Sequence, residues 1–227
     1  MSAALAIEPG AAIARVAERY AAVSRFDRGF VRGKLRGDPA VAAILALAAR
    51  VPFGHVADLG CGRGQFGLLL LDMGLADSVA GFDLDRKKIA RANRAASADP
   101  PARARFAVAD LAEAPIPDCD TAMFLDVLVL MPPAAQDAAL ARAIAAVRRR
   151  ILIRSFDPDR GWRSRFGIGV ERARRLLGAD PAGGAVSPRP IAALTAPLAD
   201  AGFRVSVTPC WGATPLPNVL IVAERDG

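Results

Sequence analysis

The chain carries a single histidine, His55, three cysteines and one tyrosine in 227 residues. Cys61, Cys119 and Cys210 lie far apart and form no CxxC pair. With one histidine to complete a ligand set, the sequence argues against structural zinc, and no metal is expected. An odd cysteine count, and no basic n-region or long apolar stretch in MSAALAIEPG, point to a reducing cytoplasm. No aliphatic run, Leu68 to Leu71 included, approaches the length needed to span a membrane. Lysine is scarce too. Lys34, Lys87 and Lys88 are the only ones, so 27 of the 30 basic residues are arginines. The net charge of +7 invites a nucleic-acid reading. The arginines, however, are spread along an alanine-rich chain, as on a solvated surface. The sequence therefore argues against nucleic acid as a partner.

What is present is a globular composition, 53% hydrophobic, at a length that suits one α/β domain with a decorated end. Ile13, Val16, Tyr20 and Val23 fall at helical spacing over residues 10–25. The basic segment FDRGFVRGKLRGDP follows and is interrupted by three glycines. Asp38-Pro39 reads as an N-cap and first helical residue of a helix through about Ala49. Short apolar runs then alternate with helical ones. Strands are expected at His55–Leu59, Ser78–Phe82, Arg103–Val108, Thr121–Leu125 and Arg150–Arg154. Helices are expected at Gln65–Met73, Arg86–Ala98 and Pro132–Val147 between them, and at Pro190–Ala201. FRVSVTP and NVLIVAE close the chain as a strand pair, antiparallel because the link is too short for a crossover helix. The expectation is a doubly wound, mostly parallel α/β sheet, Rossmann-like, with an antiparallel C-terminal strand pair. Residues 1–50 form an N-terminal helical cap and 51–227 the core, with an insertion at about 157–189.

The chemistry concentrates in VADLGCGRGQFGLLL. A buried strand runs into Gly60, Gly62 and Gly64, and a helix begins just after. Glycines here let a ligand approach the backbone closely, and the helix N-terminus offers unpaired N–H groups. Asp83, in SVAGFDLD, falls at the tip of the neighbouring parallel strand, where a carboxylate accepts hydrogen bonds from ribose hydroxyls. Gly62-x-Gly64-x-x-Gly67 also matches the dinucleotide fingerprint, a nicotinamide-dependent alternative. Asp58 argues against it. Its carboxylate precedes the glycine turn, where it would repel a pyrophosphate and attract an ammonium group. The tighter Asp-x-Gly-x-Gly-x-Gly frame and the terminal strand pair argue the same way.

These motifs resemble the class I S-adenosylmethionine-dependent methyltransferases. DLGCGRG is similar to the family's first motif and GFDLD to its second. FAVADLAE, TAMFLDVLVLMPP and RRRILIRSFDP resemble the later ones. The resemblance covers residues 52–157 well and 190–227 loosely. It implies a methyltransferase whose cofactor is S-adenosyl-L-methionine. Asp58 would meet the methionine ammonium, and Gly60, Cys61, Gly62 and Gly64 would line its path. Asp83, with Leu84 beside it, would hold the ribose. Asp110 and the Leu111 backbone would meet the adenine, and Asp126 would begin the acceptor side.

No catalytic base stands out. His55 lies at the wrong end of its strand, and Val129 stands where the family often has a histidine. Asp126 and Arg154 are the weak candidates, and Asp157-Pro158 reads equally as a turn. Two segments mixing arginines with aromatics are expected to build the acceptor pocket. One is residues 19–39, with Tyr20, Phe26, Phe30, Arg32 and Lys34. The other is residues 157–175, with Trp162, Arg163, Phe166, Ile168 and Val170. The mixture suits a small-molecule or carrier-bound acceptor with an apolar body and an anionic group. An RNA methyltransferase and a non-catalytic Rossmann-like binding protein remain the alternatives.

Overall fold

The computed structural model describes residues 8–167, 169 and 186–225. In chain order the elements are α1 (Pro9–Arg19), α2 (Arg25–Gly37), α3 (Pro39–Arg50), β1 (His55–Leu59), α4 (Gln65–Asp72), β2 (Ser78–Asp83), α5 (Arg86–Ala95), β3 (Ala104–Val108), β4 (Cys119–Leu125), α6 (Pro133–Ala146), β5 (Val147–Phe156), α7 (Ile191–Asp200), β6 (Arg204–Pro209) and β7 (Asn218–Glu224). The strands form a seven-stranded sheet in the order β3-β2-β1-β4-β5-β7-β6. β1 runs parallel to β2, and β2 to β3. β7 is antiparallel to both β5 and β6. This is the doubly wound, mostly parallel sheet with an antiparallel closing pair that the alternating pattern predicted.

The chain divides into two compact units, Met1–Asp110 with Cys119–Thr121, and Leu111–Asp118 with Ala122–Gly227. In the first, Leu68, Leu69, Leu70 and Leu71 are all buried, so α4 is apolar on every side and sunk in the core. α1 packs on α4 through Ala12, Ile13, Val16 and Ala17, the i, i+1, i+4, i+5 face of an amphipathic helix. Asp38 caps α3 by accepting from the Ala40 N–H at 3.0 Å, as Asp38-Pro39 predicted. Asp85 likewise caps α5.

The glycine-interrupted basic segment is a continuous helix, α2. Val31 and Leu35 are buried one turn apart, while Gly29, Gly33 and Gly37 recur every fourth residue on exposed positions. Each exposed glycine costs about 1 kcal/mol relative to alanine, and burying two aliphatic side chains offsets that at about 1.5–3 kcal/mol each. The start is fixed by Ser24, whose Oγ accepts from the Asp27 N–H at 2.9 Å and donates to Asp27 Oδ2 at 2.6 Å.

In the second unit, β5 is longer at both ends than its apolar run suggested. Residues 162–167 are helical. Ile168 and Val170, and most of the expected insertion, lie outside the described residues.

Candidate functional site

In the first unit three strand ends come to one edge. β1 and β2 pair in register from His55↔Ser78 to Leu59↔Phe82, and β2 and β3 from Val79↔Ala104 to Asp83↔Val108. The parallel register brings the Gly60–Gly64 loop, Asp83 and the approach to Asp110 side by side. The loop is pinned to β2, since the N–H groups of Gly60 and Cys61 both donate to the Phe82 carbonyl, at 2.8 and 2.9 Å. Gly60, Gly62 and Gly64 all have positive φ, at 83°, 59° and 74°. Space is demanding at Gly64, where a Cβ would sit 2.6 Å from the Phe106 ring; at Gly62 it would meet nothing within 4 Å. Gly62 is thus open toward the ligand side. Gly64 packs down on the core and caps α4.

The two carboxylates differ sharply. Asp83 is part-buried and tied to the backbone through both oxygens, each with acceptor capacity left: Oδ2 accepts from the Gly62 N–H at 2.8 Å and Oδ1 from the Asp85 N–H at 2.9 Å. Asp58 is 2% exposed, and its Oδ2 has no hydrogen-bond partner. Burial, and secondarily the negative charge of Asp83, push the Asp58 carboxyl up to about 7. A buried, unpartnered carboxylate beside an open glycine turn fits a cationic ligand group, which would supply both the missing hydrogen bond and the missing charge. Leu84, 67% exposed, offers an apolar surface next to Asp83. Cys61 is buried, and burial raises its thiol well above the usual range, so it stays protonated. The donor set expected from the sequence is therefore assembled as far as Asp110, which is exposed. Leu111 and Asp126 belong to the second unit.

There, Asp126 follows β4 with φ 64°, the one described non-glycine residue in the left-handed region. Its Oδ2 accepts from Arg154 Nη1 at 2.6 Å, and its N–H donates to the Arg154 carbonyl at 3.2 Å. The two residues singled out as candidates for chemistry are thus partners of one another. Asp157 serves a turn: Oδ1 accepts from the Asp159 N–H and Oδ2 from Arg160 Nε. His55 is exposed on the first strand residue, with Nδ1 2.8 Å from Ser78 Oγ. Among the described residues no group of three or more His, Cys, Asp or Glu side chains is placed to hold a metal. No described helix is long and apolar enough to cross a membrane.

Several contributors were not foreseen. Tyr20 is fully buried, and its hydroxyl donates to the Arg63 carbonyl at 2.6 Å inside the glycine loop, so it is no exposed lid surface. Asp27 Oδ1 is ion-paired with Arg63, 2.8 Å from its Nε, and the Arg63 guanidinium lies 4.1 Å over the Phe30 ring. Ser24-x-x-Asp27 was a legible capping pattern, but nothing local marks where its carboxylate points. In the second unit Arg163 lies between the rings of Trp162 and Trp211, at 4.9 and 4.7 Å, and donates to the Thr214 carbonyl.

Residues 56–150 match the family model described as a methyltransferase domain. This match, with the motifs and the fold, supports the resemblance to the class I S-adenosylmethionine-dependent methyltransferases. Over 136 residues, 60% of the chain, it is 32% identical to the 23S rRNA (uracil(1939)-C(5))-methyltransferase RlmD of Acidithiobacillus ferrooxidans, of whose length it spans 30%. Its fold is similar to that of magnesium protoporphyrin IX methyltransferase from Synechocystis PCC 6803 with bound SAH, at TM-score 0.63 and 21% identity over 92% of this chain and 93% of that one. It is similar also to the S-adenosylmethionine-dependent methyltransferase SibL, at TM-score 0.63 and 20% identity over 99% of this chain and 71% of that one.

Proposed function

We propose that the protein transfers a methyl group from S-adenosylmethionine to a small-molecule or carrier-bound acceptor with an apolar body and an anionic group. The observation that carries the donor half is the buried, unpartnered oxygen of Asp58 beside the glycine loop. Asp58 would receive the donor's ammonium group and Asp83 its ribose hydroxyls. Leu84 would flank the adenine, with Asp110 and the Leu111 backbone at its polar edge. The donor supplies an electrophilic sulfonium methyl, so the protein's own task is chiefly to position the acceptor in line and keep water away. A base is needed only where the acceptor must lose a proton. Asp126, held by Arg154, is the carboxylate we assign to the acceptor side. Residues 1–50 act as the cap, and the arginine-aromatic segment after β5 serves the acceptor.

The acceptor class is supported by basic-aromatic surfaces within each unit: Phe26 and Phe30 with Arg63 in the first, Trp162 and Phe166 with Arg163 in the second. The match to an rRNA methyltransferase favours RNA as the second reading. A transfer assay with methyl-labelled donor separates them, using aromatic acids, acyl chains on a phosphopantetheine carrier, and total RNA at physiological salt. Label in the acids or the carrier supports the proposal. Sequence-selective label in RNA overturns it. Donor binding without transfer to any acceptor would make the protein a cofactor-binding module.

A further inference from the structure

The Gly60–Gly64 loop has a front and a back. Its front is tied to β2 through the Phe82 carbonyl and the Asp83 carboxylate. Three glycines at positive φ leave such a loop many conformations to lose on ordering. Those ties hold Gly60, Cys61 and Gly62. They leave Arg63, between Gly62 and Gly64, to be held from elsewhere.

It is held from the N-terminal helices. The Tyr20 hydroxyl, at the C-terminal end of α1, donates to the Arg63 carbonyl at 2.6 Å. Burial raises the Tyr20 phenol far above its ordinary range, so it remains a donor at any working pH. Asp27, in the first turn of α2, is 2% exposed and forms an ion pair through Oδ1 with Arg63, Nε lying 2.8 Å away, with Arg91 a second cation at 3.5 Å. The Phe30 ring, one turn further along α2, lies under the same guanidinium at 4.1 Å. Backbone and side chain of one loop residue are therefore gripped by three residues that precede the sheet by 25 residues or more in the chain. A buried aspartate facing one loop residue is an expensive way to pack a surface helix. It is a direct way to preset a loop.

We propose that Tyr20 and Asp27 are positioning residues for donor binding: they latch Arg63 so that the Gly62–Gly64 turn is preset for the amino-acid end of the donor. The N-terminal helices thus act on the donor as well as on the acceptor. The proposal rests on assigning the Gly60–Gly64 loop to the donor.

Calorimetric titration tests it with two ligands, S-adenosylhomocysteine and methylthioadenosine, which lacks the amino-acid end. The variants are Tyr20→Phe, which removes one hydroxyl, and Arg63→Met, which removes the tie to Asp27 while leaving Arg91 beside that carboxylate. Arg15→Ala is the control, because it breaks the 2.7 Å ion pair of α1 with Asp72 on α4 without touching the loop. Both latch variants should weaken S-adenosylhomocysteine about tenfold, the worth of one hydrogen bond to a preset site, and methylthioadenosine by less than about twofold. Arg15→Ala should change neither. Unchanged S-adenosylhomocysteine affinity in folded variants would overturn the latch. So would equal weakening of both ligands, or a control that loses as much as Tyr20→Phe. If Tyr20→Phe does not fold, Arg63→Met alone decides the question. Wild-type protein that binds neither ligand would overturn the donor assignment itself, and the latch with it.

Discussion

Asp58 and Asp83 stand on adjacent parallel strands, one a buried carboxylate with an unpartnered oxygen and the other a carboxylate with a backbone N–H on each oxygen. On the proposed reading the two would hold one ligand between them: Asp83, tied to the backbone, would be fixed in place before binding, and the unsatisfied Asp58 would gain most from it.

The first prediction concerns pH. Asp58, pushed up to about 7, is largely protonated in the free protein at pH 6 and must ionise to receive an ammonium group. Affinity for S-adenosylhomocysteine should rise as pH passes through 7, with proton release on binding. Calorimetry in buffers of different ionisation enthalpy reads that release directly. Asp58→Asn should abolish it and weaken binding by at least about tenfold, a loss near 1.4 kcal/mol. The sign for stability is opposite. The folded pKa lies above the unfolded one, so this group's contribution is complete below about pH 4 and is lost as pH rises through about 7. Ligand-free melts should show that decline relative to Asp58→Asn.

Asp83→Ala removes the acceptor of the Gly62 N–H together with the proposed ribose contacts. Charge-assisted hydrogen bonds contribute roughly 1.5–3 kcal/mol each, so donor affinity should fall at least about tenfold in a protein that still folds. Circular dichroism and titration of the same sample check both halves. Unchanged affinity would mean that the ribose is held elsewhere.

The glycines should separate by depth. Gly64→Ala places a Cβ 2.6 Å from the Phe106 ring at φ 74°, and should lower the melting temperature as well as donor affinity. Gly62→Ala meets no neighbour but still bears a left-handed φ of 59°, about 1–2 kcal/mol. It should weaken the donor with a smaller change in stability. Equal melting shifts for the two would contradict this assignment.

Asp126 combines a left-handed φ with an ion pair to Arg154. Asp126→Gly relieves the backbone and deletes the carboxylate. It should melt near the wild-type temperature yet lose methyl transfer. Asp126→Val, which is branched at Cβ, should be destabilised by about 1–3 kcal/mol. Full activity in folded Asp126→Gly would remove Asp126 from the acceptor side.

Most of the fold could be read in advance because its signals are local. The apolar run of β1, the Asp38 cap and the spacing of α6 each depend on a few neighbouring residues. The glycine loop, Asp58 and Asp83 were legible for a similar reason, since each sits where a strand ends. α2 was not, because its three glycines are local evidence against a helix, while Val31 and Leu35 gain their value only from what they bury against. The grip of Tyr20 and Asp27 on Arg63 spans 43 and 36 positions, and no periodicity records a contact of that length. Gly81 falls in the same class: a Cβ there would meet the Phe106 ring at 2.4 Å, a constraint set by another strand.

Both tryptophans of the chain flank Arg163, and the only tyrosine is sealed behind the glycine loop. The intrinsic emission of this protein is therefore split by address. Indole fluorescence reports on the second compact unit alone, and phenol absorbance on the first. In a denaturant titration the two signals are independent witnesses. If their midpoints coincide, the units come apart together. If they separate, the half that carries the glycine loop and the half that carries Asp126 hold their structure on separate terms.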